Sequence, residues 1–215
     1  MKRRDFSARL AGLGLGASTL ATPLLAQAQA KPLAETDYVR LSQPLSVEKG
    51  KVEVVEFFWY GCPHCFNFEP ALDAWQKKLP ADVAFRRVPV AFRESYTIHQ
   101  RLFYAIEAMG KVEELHRKVF QAIHGDRKRF EKEDEILEFV GKNGVDTAKF
   151  KEVLGSFTVS TKAKQASRLA EAYKIDGVPA LGIGGKYYTS GQQAGSPERS
   201  LLVADALIDK VRKGG

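Results

Sequence analysis

A buried strand that leads directly into two closely spaced cysteines constrains this chain more than any other feature. Residues 52–59 are apolar, β-branched or aromatic except for two glutamates, which is typical of a strand buried on both faces of a sheet. After a short turn come Cys62 and Cys65. A cysteine at a helix start lies beside unpaired N–H groups and the positive end of the helix dipole, which lower the pKa of its thiol. The pattern therefore indicates a thiol–disulfide redox site.

Other uses of the two cysteines fit the sequence less well. A zinc site usually needs four ligands with characteristic spacing, and beside the two cysteines the chain offers only His64, His99, His116 and His124. Covalent haem attachment requires a histidine directly after the second cysteine, where Phe66 stands. A disulfide across so short a loop constrains the unfolded chain little. We therefore expect redox chemistry without a metal or cofactor, and we place the last three histidines at the surface or at the edges of apolar helix stripes.

The first thirty residues have the pattern of a cleaved export signal. A basic start, Lys2-Arg3-Arg4, precedes an apolar region at residues 10–25 and small residues suited to cleavage near Ala28 or Ala30. The arginine pair fits either the twin-arginine or the general secretory route. Removing four of the 33 basic and one of the 26 acidic residues lowers the formal net charge from +7 to +4. So diffuse a charge predicts no nucleic-acid binding, and export predicts an oxidising compartment, the periplasm.

The periodicity of the mature chain predicts an α/β protein. The predicted order is a strand at 38–41, a strand at 52–59, a helix at 62–79, a strand at 83–88, a helical block at 95–154, a helix at 159–174, a hairpin around Gly184-Gly185 and a helix at 196–211. Without the block, the remainder has the order of a thioredoxin-type sheet. We therefore predict a thioredoxin-like domain in two parts, residues 31–92 and 159–215, with an inserted all-helical domain at 93–158.

Four short segments together carry a family resemblance. They are Glu56-Phe57-Phe58, Cys62-Pro63-His64-Cys65, Phe68-Glu69 and Gly177-Val178-Pro179-Ala180. These segments resemble those of the DsbA family of periplasmic thiol:disulfide oxidoreductases. The resemblance extends over essentially the whole mature chain. A Cys-Pro-His-Cys motif combined with a late Val-Pro is more specific than Cys-x-x-Cys alone.

The resemblance implies roles for individual residues. Cys62 is the attacking and more exposed cysteine, Cys65 is the buried resolving one, and Pro63 and His64 complete the redox-active centre. The Val178-Pro179 peptide bond is implied to be cis and to line the substrate groove. His64 either supplies a hydrogen bond or positive charge to the Cys62 thiolate or is a solvent-facing spacer, and the resemblance favours the first role.

Glu56, Gly61 and the segment 191–195 also stand out in the sequence. Glu56 is an acid inside an apolar strand, which is unfavourable unless the group is paired or protonated. We interpret it as a proton relay for Cys65 with Arg87 as a possible charge partner; the alternative is that Glu56 faces a polar edge. Gly61 stands where related proteins can carry a side chain, which suggests a more permissive turn. Residues 191–195 lie in a variable segment, so no substrate preference is carried over.

The leading functional hypothesis is a monomeric oxidase that donates its disulfide to reduced exported proteins. The resemblance implies reoxidation by a DsbB-type, quinone-linked membrane partner. An isomerase of this kind would carry a separate dimerisation domain, for which the stretch before the first long strand leaves no room. A thioredoxin-like periplasmic reductase would be favoured by residues other than Pro-His between the cysteines. A binding or chaperone module with incidental cysteines is the non-enzymatic alternative.

Overall fold

A five-stranded mixed sheet is the frame of the fold. The computed structural model describes residues 33–48 and 50–215, so the predicted export signal, residues 1–30, lies outside the described residues. The strands are β1 (Val39–Arg40), β2 (Val52–Phe58), β3 (Val83–Pro89), β4 (Ala180–Ile183) and β5 (Tyr187–Ser190). Their order across the sheet is β1-β5-β4-β2-β3. Strands β2 and β3 run parallel, and the other neighbouring pairs are antiparallel.

Helices cover both faces of this sheet. They are α1 (Pro63–Gln76), α2 (Thr97–Ala108), α3 (Val112–His124), α4 (Glu133–Lys142), α5 (Thr147–Gly155), α6 (Phe157–Ala172), α7 (Gly191–Ala194) and α8 (Pro197–Arg212). Val54 of β2 belongs to the apolar core formed with α1 and α8. Val55 and Phe57 belong to the core on the other side, which is continuous with that of α2 to α6. Because both faces are covered, β2 needs the nearly unbroken apolar run that its sequence shows.

The helix starts follow local capping chemistry. The side chain of Asp146 accepts a hydrogen bond from the Lys149 N–H at the start of α5, and Ser196 accepts one from Arg199 at the start of α8. Asp and Ser are preferred at this position because their side-chain oxygens accept from the free N–H groups of the first helical turn. Ser156 caps α6 in the same way, so this helix begins at Phe157, two residues earlier than predicted.

Most predicted elements are present, with small differences at their ends. Strand β1 has two residues instead of four because only Val39 and Arg40 pair with β5. Helix α1 ends at Gln76, and the four-residue helix α7 was not predicted. The hairpin turn lies at Gly184 and Gly185, whose φ angles of 58° and 65° favour glycine. Among the described helices, none is long and apolar enough to cross a membrane.

Candidate active site

The two cysteines lie at the junction of β2 and α1. Both are free thiols, and Cys62 is the N-cap of α1. Its Sγ accepts a hydrogen bond from the Cys65 N–H (3.4 Å) and donates one to the carbonyl oxygen of Val178 (3.4 Å). Pro63 occupies the first helical position, where its missing N–H leaves no bond unmade. Cys62 is 7% exposed and Cys65 is fully buried, so an incoming thiolate can reach only the first of these two sulfurs.

The surroundings give the two sulfurs opposite ionisation preferences. The pKa of Cys62 is lowered to about 6, first by its hydrogen bond with the Cys65 side chain and then by the N–H groups of Cys65 and His64, against the effect of burial. The positive charge of His64 adds a smaller contribution. Burial raises the pKa of the Cys65 thiol well above its usual range, and the charges of Cys62 and Glu56 raise it further. A stable thiolate at Cys62 beside a protonated Cys65 is the arrangement that directional exchange needs.

A cleft beside Cys62 contains the predicted groove residues. It has a volume of about 400 Å³, and its lining includes His64, Val178, Pro179 and Gln192. The Val178–Pro179 peptide bond is cis, as the resemblance implies. The side chain of His64 is exposed at the edge of this cleft. The structure thus brings together the motif on α1 and the Val-Pro pair that precedes β4.

Glu56 is fully buried and forms an ion pair with Arg87. The two residues lie opposite each other in the parallel register of β2 and β3. Arg87 Nη1 also donates to Oε1 of Glu69 (2.8 Å), and Nη2 donates to Oδ1 of Asp73 (2.8 Å). The expected burial of Glu56 and its pairing with Arg87 are therefore both present, and two further acids of α1 share the same guanidinium.

The two buried glutamates cannot both ionise freely. Burial raises the pKa of Glu56 and that of Glu69 to about 7, although the Arg87 charge acts in the opposite direction on each. Glu56 Oε1 and Glu69 Oε2 have no hydrogen-bond partner among the described residues. Because both carboxyls contact one nitrogen of Arg87, they titrate as a pair and can hold a shared proton near neutral pH.

Comparisons with known proteins identify the family of this chain. The family model for the DSBA-like thioredoxin domain matches residues 53–197. The thiol:disulfide interchange protein DsbA of Azotobacter vinelandii is 45% identical over 206 residues, which covers 92% of this chain and 96% of that protein. The chain belongs to the DsbA family. It is accordingly a protein disulfide oxidoreductase, and the predicted thioredoxin-like fold with a helical insertion is confirmed.

Solved DsbA structures superimpose on this family member closely. The crystal structure of Pseudomonas aeruginosa DsbA has a TM-score of 0.80 at 43% identity, covering 83% of this chain and 93% of that chain. The oxidoreductase DsbA from Xylella fastidiosa has a TM-score of 0.77 at 29% identity, covering 85% and 98% respectively. In residues 33–48 and 50–215 of this DsbA family member, no group of three or more His, Cys, Asp or Glu side chains is arranged to hold a metal ion.

The predicted positions of two histidines are wrong. His99 and His116 are only 6% and 3% exposed, because α2 and α3 pack against the turn before Cys62 as well as against other helices. The ring of His116 lies between the Tyr60 hydroxyl (2.9 Å from Nδ1) and Glu69 Oε1 (3.3 Å from Nε2). His124 is half-buried, and its Nε2 lies 2.8 Å from the Tyr60 carbonyl oxygen. The helical insertion of this DsbA family member thus holds the active-site turn through histidines.

Gly61 is not the permissive position that the sequence suggested. A Cβ atom at Gly61 would lie 2.3 Å from the nearest ring atom of Trp59. The Trp59 ring is fixed over the glycine because its Nε1 donates to His99 Nδ1 (3.0 Å) and its face stacks on Tyr96 (4.1 Å between centroids). Glycine at position 61 therefore avoids a steric overlap with the fixed ring of Trp59.

Sequence reasoning missed the acids and the aromatic residue that complete the buried network. Glu69 and Asp73 follow Cys65 at intervals of four, which places all three on one face of α1. That spacing was a usable signal. Nothing comparable pointed to the contact of His116 with Tyr60, which joins residues 56 positions apart.

Proposed function

We propose that this protein donates a Cys62–Cys65 disulfide to newly exported proteins and that Cys62 is the sulfur that exchanges with them. The observation that carries the proposal is the contrast between the two sulfurs. Cys62 has a small exposed surface and a pKa lowered to about 6, whereas Cys65 is fully buried with a raised pKa. The lower-pKa thiolate is the better leaving group in exchange, so the mixed disulfide on Cys62 is released readily to form the substrate's own disulfide.

The exchange proceeds in two steps. A substrate thiolate attacks Cys62 Sγ, the bond between Cys62 and Cys65 breaks, and Cys65 leaves as a thiolate that takes up one proton. A second substrate thiolate then attacks the substrate sulfur of the mixed disulfide, and Cys62 leaves as a stabilised thiolate. The substrate loses two electrons and gains a disulfide, and the protein gains the two electrons as a dithiol. When the protein is reoxidised, Cys65 performs the reverse attack and resolves the mixed disulfide.

Glu56 acts in this scheme as the proton relay for Cys65. It is buried beside the sulfur closely enough that its charge raises the pKa of Cys65. A carboxyl group with a pKa near 7 can both give and accept a proton at the pH of the compartment. Glu56 in its protonated form supplies the proton that Cys65 needs on leaving.

The remaining motif residues bind the substrate and adjust the thiolate. Pro63 fixes the start of α1, and His64 adds an N–H group and positive charge next to Cys62. Val178 and Pro179 line the cleft, where an extended peptide can pair with the Val178 backbone. The hydrogen bond from Cys62 to the Val178 carbonyl supports this placement, because it puts the reactive sulfur at the cleft wall.

The cellular setting follows from the family and the predicted signal. We place the protein in the periplasm as a monomer without cofactor or nucleic-acid partner, with reduced exported proteins as substrates. A DsbB-type membrane quinone reductase restores its disulfide. N-terminal sequencing of the active protein should find a start near residue 29 or 31, and a retained Met1 would contradict export with cleavage.

Trapping of covalent intermediates tests the roles of the two cysteines. Cys65→Ser should accumulate mixed disulfides with exported proteins, because its Cys62 thiolate attacks their disulfides, one substrate sulfur leaves as a thiolate, and no Cys65 remains to resolve the product. The matched variant Cys62→Ser should accumulate none, since the remaining thiol is buried. Oxidised wild-type protein should also convert a reduced, unfolded substrate to its disulfide form with repeated turnover when an oxidant is supplied. Complexes that form through Cys65 in Cys62→Ser would reverse the assignment.

A further inference from the structure

The buried network continues beyond the residues that the exchange scheme uses. From Arg87 it passes through Glu69 to His116 on α3 and ends at Tyr60 in the active-site turn. Tyr60 is completely buried, and His116 is nearly so. A neutral buried histidine donates a hydrogen bond through one ring nitrogen and accepts one through the other. Here one nitrogen contacts a carboxylate and the other a hydroxyl, so the tautomer determines which of the two groups receives the donated hydrogen bond.

The tyrosine hydroxyl selects that tautomer. Among the described residues, the only hydrogen-bond partner of Tyr60 Oη is His116 Nδ1. If Nδ1 carried the proton, the Tyr60 hydroxyl hydrogen would be buried without an acceptor, which is unfavourable. With the proton on Nε2, Tyr60 donates to Nδ1 and the His116 Nε2–H donates to Glu69 Oε1 at 3.3 Å. Both ring nitrogens are then satisfied.

This arrangement makes the two glutamates unequal. Glu69 Oε1 accepts hydrogen bonds from both Arg87 Nη1 and His116 Nε2, whereas Glu56 accepts one from Arg87 alone among the residues that the structure describes. Hydrogen bonds to a carboxylate favour its ionised form. His116 stays neutral at physiological pH, because burial and the Arg87 charge lower its pKa to about 3. It therefore acts as a fixed donor.

We propose that Tyr60 and His116 are positioning residues that keep Glu69 ionised and so direct the shared proton onto Glu56. The inference rests on the proposed function, in which Glu56 gives this proton to Cys65. In this view the helical insertion does more than cover the sheet, because α3 contributes the donor that decides which carboxyl is charged.

Charged and titratable groups surround the network on every packed element. They are Glu56 on β2, Arg87 on β3, Cys65, Glu69 and Asp73 on α1, Glu113, His116 and Arg117 on α3, and Tyr60 in the turn. Asp73 raises the pKa of Glu69 and Arg117 lowers it, so these two neighbours oppose each other. The donor from His116 is the contact that Glu69 has and Glu56 lacks.

Carboxyl NMR of protein with ¹³C-labelled glutamate side chains can follow the two groups separately. The signals are assigned from spectra of Glu56→Gln and Glu69→Gln, and the reduced protein is titrated with pH. In the wild-type protein Glu56 should titrate at higher pH than Glu69. The ¹⁵N shifts of the His116 ring should show a proton on Nε2 and none on Nδ1. The reverse order of the carboxyls, or the other tautomer, in the wild-type protein overturns the proposal.

Variants then test whether His116 causes the order. The double variant Tyr60→Phe/His116→Leu removes the donor without leaving a hydroxyl unpaired, and it should narrow the separation of the two midpoints by about one pH unit. His116→Gln keeps an N–H donor of similar reach and should restore most of the separation. Tyr104→Phe, which removes a hydroxyl from a tyrosine of α2 outside the network, should leave it unchanged. An unchanged separation in the double variant would overturn the proposal.

The titration order of the two carboxyls and the proposed disulfide exchange are tested by separate measurements. If oxidised wild-type protein fails to oxidise a reduced substrate, the proposed function fails while the titration order can still hold. If turnover is normal but the two carboxyls titrate in the opposite order, only the role of Tyr60 and His116 fails.

Discussion

At the scale of single residues, the hydrogen bond with the Cys65 side chain lowers the pKa of Cys62 most. The backbone N–H groups of Cys65 and His64 follow, and the charge of the His64 side chain contributes least. Any residue except proline at position 64 supplies the N–H. The side chain at this position therefore adjusts a thiolate that the start of the helix already stabilises.

We therefore predict that His64→Ala raises the pKa of Cys62 by less than about one unit and leaves it below that of a free cysteine. The smaller thiolate stabilisation should also make the reduction potential more negative. Thiolate absorbance measured against pH gives the pKa, and Cys65→Ser, which has a single active-site thiol, serves for assigning the signal. A return of the Cys62 pKa to the free-cysteine range would show that the side chain dominates.

Glu56 gives a second prediction at this scale. Its pKa is near 7 in the folded protein against a usual value of 4.5. Below pH 4.5 the group is protonated in both the folded and the unfolded state and does not lower the free energy of unfolding. That free energy falls as the pH rises from 4.5 through 7. Glu56→Gln removes a group whose ionisation is unfavourable. The gain in free energy of unfolding should be larger at pH 8 than at pH 5 by about 1 to 2 kcal/mol, because part of the proton uptake is shared with Glu69.

Urea denaturation of reduced wild-type and Glu56→Gln protein at both pH values measures this difference. Glu53→Gln is a suitable control, since Glu53 lies on the same strand in a more exposed ion pair with Arg86. If Glu56→Gln loses more stability at pH 8 than at pH 5, Glu56 is stabilised as an anion and cannot serve as the proton donor.

At the scale of elements, the turn between β2 and α1 is held by side chains from the helical insertion. Trp59 is fixed by His99 and Tyr96, and Tyr60 is fixed by His116 and His124. The turn carries Cys62 at its end. Its geometry is therefore set by the packing of α2 and α3 as well as by the local chain.

Gly61→Ala should lower the free energy of unfolding by about 1 to 3 kcal/mol, because the new methyl group overlaps the Trp59 ring. Trp59→Leu in the same chain should remove much of that overlap, so the double variant should lose less stability than the sum of the two single variants. Gly155→Ala is the matched control, because no atom of the described part of the chain lies within 4 Å of the added methyl group. Additive losses would show that Trp59 does not restrict Gly61.

The sequence predicted the elements that local chemistry determines. The strand leading into Cys62 and the glycine hairpin both follow from residues within a few positions of one another. The contacts of the turn depend instead on how distant helices pack. Trp59 meets His99 at a separation of 40 residues, and hydrophobic periodicity alone treats such a histidine as a polar edge residue.

At the scale of the whole molecule, the active site lies between a thioredoxin-like sheet and its helical insertion. The sheet supplies Glu56 and Arg87, α1 supplies the cysteines, and the insertion supplies the histidines. The spacing of the cysteines predicted a redox site at Cys62 and Cys65, and the family resemblance added His64, Val178 and Pro179 to that prediction. It did not reveal that a second carboxyl, Glu69, shares the guanidinium, since that depends on the packing of α1 against β3.

The central claim concerns the stability of the two redox states. A thiolate at Cys62 exists only in the reduced protein, so stabilising it favours the reduced folded state and makes the disulfide oxidising. The folded pKa is depressed from 9.0 to about 6, so this stabilisation is complete above pH 9 and is lost as the pH falls through 6. At pH 7 a substantial part of it remains.

Paired denaturant titrations of the oxidised and the reduced protein at pH 7 test this claim most directly. The account predicts a higher free energy of unfolding for the reduced form, with a difference that shrinks when the titrations are repeated at pH 5. A higher free energy of unfolding for the oxidised form at pH 7 would contradict the account, because the protein would then retain its disulfide instead of donating it.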